Sequence, residues 1–126
     1  MQESFMNHLA TNFSEKFEKF SDYWTPKILV KFDDYYIKAA KMKGEFVWHS
    51  HAEVDECFMV VRGALRILFR AGEVLIKQGE CFIVPKGVEH KPVADEEVCC
   101  LLIEKAGTLN TGDQGGDRTV SQEEWI

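Results

Sequence analysis

Three of the four histidines in this 126-residue chain fall within two short segments. One runs Gly44-Glu-Phe-Val-Trp-His49-Ser-His51-Ala-Glu-Val-Asp-Glu56, and the other runs from Gly79 to His90. His49 and His51 alternate within an apolar run, so on a β-strand they project from one face, about 7 Å apart at the backbone. At that spacing two imidazole nitrogens can converge on a single ion at bond lengths of about 2.0–2.2 Å. Ala52 to Asp55 read as a turn, and Glu56 opens the next apolar run. On a neighbouring antiparallel strand its carboxylate is predicted to face both histidines across the ladder. A lone histidine on a strand is ordinarily structural, but this grouping points to a metal.

The two segments resemble the motifs of the cupin family. The first motif is matched by Gly44, His49, His51, Glu56 and Gly63, and the second by Gly79, Pro85, Gly87 and His90. Gly44 stands one residue nearer the first histidine than in the family pattern, and Ala94 occupies the place of a final asparagine. Neither departure removes a ligand: the family's metal residues fall on His49, His51, Glu56 and His90. The resemblance implies a double-stranded β-helix, a jelly-roll barrel with the metal inside one end, and a homodimer. No residue is singled out as catalytic.

Three neutral imidazoles and one carboxylate suit a divalent transition ion such as Fe, Mn, Ni, Co, Cu or Zn. Magnesium and calcium prefer all-oxygen sets. Four ligands grouped on one side leave positions open for water or substrate, which marks a chemical site. Phe58 and Val60, two and four residues beyond Glu56, and Val47, two before His49, are predicted to wrap the ligands in an apolar wall.

The elements that must position these groups read as short runs between turn residues. Candidate strands cover 27–32, 35–42, 45–51, 56–62, 64–70, 73–77, 81–84, 88–93 and 97–104, with turns that include Arg62-Gly63, Pro85–Gly87 and Ala94–Glu96. This is an all-β pattern, a sandwich or barrel. Residues 1–22 read instead as helix, with Phe5, Leu9, Phe13, Phe17 and Phe20 on one stripe that packs on the barrel or on a partner subunit. Asn12 and Glu15 have capping-box spacing, so the helix can restart there. The domain reading is a helical extension at 1–24, a barrel at 25–106 and a tail at 107–126. That tail, rich in Gly, Asp and Thr, reads as a loop draped over the surface.

Composition sets outer bounds. The chain is one domain, long enough to bury about 65–70% of its unfolded surface without a disulfide. A net charge of −6 and the lack of a basic cluster exclude a nucleic-acid surface. No apolar span reaches the length of a membrane helix, and no secretory leader is visible. Cys57, Cys81, Cys99 and Cys100 form no C-x-x-C pair and read as buried, reduced thiols of a cytoplasmic protein. Cys99 and Cys100, being adjacent, must point to opposite faces of a strand.

The functional expectation is a small metalloenzyme, dioxygenase- or isomerase-like, acting on a small polar metabolite. The alternative is a non-catalytic module that senses or sequesters a metal or small ligand. Phosphosugar isomerisation would need basic residues in the pocket, for which Lys38, Arg66, Lys86 and Lys91 are the loose candidates. A homodimer is expected on a second ground too, since the Phe stripe and an outward-facing Trp48 would supply apolar surface.

Overall fold

Residues 9–126 are described by the structure, a computed structural model. A five-residue helix, α1 (Phe13–Phe17), precedes β1 (Lys27–Phe32), β2 (Tyr35–Glu45), β3 (Glu56–Arg62), β4 (Ala64–Phe69), β5 (Gly72–Lys77), β6 (Cys81–Val84), β7 (Lys91–Lys105) and the short β8 (Glu124–Trp125). Hydrogen-bonded neighbours run β5-β4-β7-β2-β1-β8, while β3 pairs with both β6 and β7. β7 organises the sheet. It lies antiparallel to β2 along most of its length, to β4 through Lys91–Val93, and to β3 through Cys99–Ile103. This is the all-β architecture that the strand pattern predicts, in the jelly-roll form that the cupin resemblance implies.

Side-chain alternation divides the strands between two apolar clusters. Ala40, Met42, Phe58, Val60, Leu65, Ile67, Val98, Cys100 and Leu102 fill the interior. The residues between them, among them Ala39, Cys99 and Leu101, point outward into a second cluster beneath α1. Cys99 and Cys100 therefore do face opposite ways. Phe17, 1% exposed, seals the outer cluster, a burial that stabilises by about 1.5–3 kcal/mol.

Several expectations are revised. Among the described residues the helix is confined to Phe13–Phe17, capped by the Asn12 side chain, which accepts from the Glu15 N–H at 3.0 Å. Residues 9–12 and 18–22 are not helical, because beyond Glu18 the chain is drawn onto β2: Tyr23 bridges to Lys41, and the Trp24 N–H donates to the Lys41 carbonyl at 2.8 Å. Phe5 lies outside the described residues. β7 does not break at Ala94–Glu96. It stays continuous by bulging: Met42 pairs with Val98 and Gly44 with Ala94, so the exposed Asp95–Glu97 stand opposite Lys43 alone. Residues 46–51 are not a strand; they form a single β-bridge, His49 to His90, and a separate hydrogen bond from the Phe46 N–H to the Pro92 carbonyl of β7.

Trp48 is half-buried, with the Arg70 guanidinium 3.8 Å above its ring, so it offers no outward apolar face. Cys81 is exposed and Cys57 half-buried, so only Cys99 and Cys100 fit the buried-thiol reading. No helix among the described residues is long and apolar enough to cross a membrane.

Gly63 makes the turn from β3 to β4 possible. Its φ is +92°, and a Cβ there would stand 2.8 Å from the Glu97 carbonyl oxygen, so only glycine fits.

Candidate metal centre

His49 and His90 are placed by their own backbones. Each donates its N–H to the other's carbonyl, at 3.0 Å from His49 and 2.9 Å from His90. The turn Pro85-Lys86-Gly87, which follows β6, docks the second segment onto the first: Gly87 N–H donates to the His51 carbonyl and Lys86 N–H to Asp55 Oδ1, both at 2.8 Å. Glu56 is the first residue of β3 and pairs with Val84 of β6. Its carboxylate thus enters beside the turn, not across a ladder from residues 45–51 as expected.

The outcome is a compact cluster. His49, His51, Glu56 and His90 each offer a ligand atom, and these atoms lie within 4.8 Å of one another. All four residues are buried, His90 completely and His51, at 7% exposure, nearest the surface. His51 Nε2 and His90 Nε2 stand 3.3 and 3.4 Å from Glu56 Oε1. His49 Nδ1 lies 2.9 Å from the Val47 carbonyl, and His90 Nδ1 lies 3.0 Å from that of Val88. A carbonyl can only accept, so both Nδ1 atoms carry the proton and both Nε2 atoms turn lone pairs inward. His51 Nε2, His90 Nε2 and Glu56 Oε1 are buried without a hydrogen-bond partner. Acceptors facing acceptors in a dry interior are unfavourable unless a cation lies between them. A proton could relieve one Glu–His contact; a divalent ion would satisfy the whole set.

The electrostatics suit such an ion. Burial, reinforced by nearby His90, lowers the His49 pKa to about 4, so its ring is neutral and able to ligate at neutral pH. Burial opposes charge on Glu56, but a proton shared with His51 or His90 across those contacts outweighs it and holds the carboxyl well below its usual range. Behind Glu56 lies Glu104, whose pKa is pushed well up, first by burial and then by the Glu56 charge. Extending the β3–β7 register by one pair from Cys57 and Ile103 sets these two carboxyls opposite each other. Glu104 in turn meets Lys38 Nζ at 2.9 Å, and Lys38 also meets Glu123 of the tail at 2.6 Å. Although burial works against its charge, the two carboxylates keep Lys38 above the ordinary lysine range.

Two spaces flank the cluster. Inside the barrel a cavity of about 30 Å³, room for about two waters, is lined by His49 and Glu56 together with Trp24, Met42, Phe46 and Phe58. Outside, a groove of about 360 Å³ runs between Ser50–Val54 and Lys105–Asp113, with His51 in its wall. The basic candidates are all engaged elsewhere or absent from the inner cavity. Arg66 binds Asp95, Lys91 binds Glu45, Lys38 is held by its two glutamates, and Lys86 lines a separate surface hollow.

This geometry agrees with what comparison with known proteins finds. The chain matches the Cupin domain family over residues 38–104. It is a cupin. The crystal structure of a cupin-2 domain protein from Shewanella frigidimarina NCIMB 400 is 45% identical, covering 76% of this chain and 94% of its own, with a TM-score of 0.76. YdbB of Bacillus subtilis (strain 168) is 31% identical over 66% of this cupin and 68% of its own length. At 18% identity only the fold is shared with hydroquinone 1,2-dioxygenase PnpCD, with a TM-score of 0.64 over 76% of this chain and 72% of the other.

The structure thus brings together His49, His51, Glu56 and His90. It adds residues that motif spacing alone does not reveal. Lys38 and Glu104 continue the inward alternation of Ala40 and Met42 on β2 and of Cys100 and Leu102 on β7. Two opposite charges on the inward face of paired strands are a sequence signal of a buried ion pair. Trp24 and Asn110, which also line the inner cavity, come from outside the barrel strands and carry no such signal.

Proposed function

We propose that His49, His51, Glu56 and His90 hold a divalent transition ion, and that this cupin is a small metalloenzyme of dioxygenase type. Its substrate would be a small uncharged molecule with one chelating polar end. What supports the reading is a partnerless buried cluster opening onto an apolar cavity that, among the described residues, no free cation lines. A bound ion would supply Lewis acidity and open positions for a chelating ligand or dioxygen. The chain's own residues do the rest. Val47 and Val88 fix the tautomers of His49 and His90, Glu56 adds negative charge, and Trp24, Phe46 and Phe58 exclude bulk water.

The same lining argues against the phosphosugar branch, since among the described residues a phosphate entering the inner cavity would meet no unpaired basic side chain. Oxygen uptake by Fe(II)-loaded protein, assayed against catechols, hydroquinones, diketones and sugar phosphates, tests the assignment. Consumption with an uncharged chelator supports it; turnover of a sugar phosphate alone would overturn it.

One observation favours the non-catalytic alternative. An inner cavity of about 30 Å³ admits only a ligand of one or two heavy atoms unless Trp24 or Phe46 moves. Tight binding of an uncharged chelator without conversion would select that reading. For assembly, the proposed state is a homodimer, and Leu75 and Ile83, exposed at 50% and 54%, are apolar side chains available to it. Sedimentation at the single-chain mass at micromolar concentration would contradict it.

A further inference from the structure

Residue 50 lies between the two histidines of the His-x-His segment, and the tail grips it from both sides. The Ser50 N–H donates to Asp113 Oδ1 at 2.9 Å, and the Ser50 carbonyl accepts from the Asp113 N–H at 3.1 Å. Since residues 46–51 belong to no strand, no sheet ladder satisfies these two Ser50 groups. The neighbouring Gly112 presses still closer. At φ +56° its missing Cβ would overlap the Ser50 carbonyl oxygen and stand 3.2 Å from His49 Cδ2. A glycine at this point is what lets the tail lie against the histidine pair.

The grip comes from a braced segment. Asn110, buried, donates to the Arg118 carbonyl and accepts from the Val120 N–H, both at 2.8 Å, closing the 110–120 loop on itself. Beyond it, Glu123 meets Lys38 and the Ile126 N–H donates to the Ile28 carbonyl at 3.1 Å, so the far end is fastened to the barrel as well. Asp113 is thus a fixed point from which to hold Ser50.

We propose that Asp113 is a positioning residue of the metal centre: by clamping both backbone groups of Ser50 it sets the spacing of the His49 and His51 rings, and residues 107–126 are a working part of the site instead of a covering loop. The inference rests on the metal reading above. Groups that orient metal ligands indirectly typically contribute 10–100-fold in affinity.

Co(II) binding, followed by chelator competition and by the visible Co(II) absorption band, tests it in the full-length chain. Asp113→Ala removes the acceptor, and Gly112→Ala independently pushes the tail off Ser50. Either variant should bind Co(II) about 10–100-fold more weakly, with an altered band. Asp113→Asn, which keeps an Oδ1 acceptor, should restore affinity to within a few-fold of the parent. Phe17→Ala, which opens the outer cluster on the other face of the sheet, should lower the melting temperature while leaving affinity and band unchanged. If either displacing variant gives a folded protein with the parent's affinity and spectrum, Asp113 and the tail are merely structural and the proposal is overturned. A parent protein that binds no Co(II) would overturn the metal reading and the inference together, an outcome readily told apart from the first.

Discussion

His49 and His90 hold each other through both backbone hydrogen bonds, with their ring centroids 4.3 Å apart. The spacing of these two rings is therefore set by main chain and not by contacts between the side chains. Removing a ligand side chain should empty the site without collapsing the barrel. His51→Ala and Glu56→Gln are expected to retain the β-sheet circular dichroism and cooperative melting of the parent, yet to carry no stoichiometric metal after dialysis. Unfolding of both would show that the cluster holds the fold together instead.

Lys38 is the counter-ion for two carboxylates, those of Glu104 and Glu123. Lys38→Met preserves bulk but leaves Glu104 buried beside Glu56 without compensation. The expected cost is about 3–5 kcal/mol in urea denaturation, the usual penalty for breaking a buried pair from one side. A loss below about 1 kcal/mol would mean that the carboxyls adjust by binding protons.

Acid should weaken the metal-free protein through His49. Its pKa falls from 6.5 to about 4 in the folded state, so between those values the unfolded chain binds a proton that the folded chain refuses. This contribution to stability is complete above pH 6.5 and is lost as the pH falls toward 4. Glu56, held low, acts in the same sense below its ordinary value of 4.5, whereas Glu104, held high, acts in the opposite sense. Comparison with His49→Gln isolates the histidine. Calorimetry with chelator present should show a smaller stability loss between pH 6.5 and 4.5 in the variant than in the parent; equal losses would refute the assignment.

The N-terminal helix buries one side chain, Phe17. Phe17→Ala opens the outer cluster over Leu29, Ala39, Cys99 and Leu101 and is expected to destabilise by about 3–5 kcal/mol. Metal stoichiometry in the folded fraction should not change, since that cluster lies on the outer face of the sheet. A loss of metal in folded Phe17→Ala would tie the helix to the site.

Strands β1, β3 and β6 were legible to the residue, because short alternating runs between turn residues leave little freedom of register. The four clustered residues were legible because motif spacing constrains them doubly, through glycine turns and through side-chain type. Two features were hidden for different reasons. Residues 46–51 alternate like a strand, but their hydrogen bonds go to single partners, His90, Pro92, Gly87 and Asp113, which alternation cannot distinguish from a ladder. The clamp on Ser50 joins positions 63 residues apart across a Gly-rich tail, and no local pattern reports a contact at that range.

The most direct test of the account is anomalous X-ray scattering at the absorption edge of the metal that co-purifies with the protein. One peak per chain, about 2.0–2.2 Å from Nε2 of His49, His51 and His90 and from a Glu56 carboxylate oxygen, is the expected result. Density without a peak between those four side chains, or a peak bound elsewhere on the barrel, would contradict it.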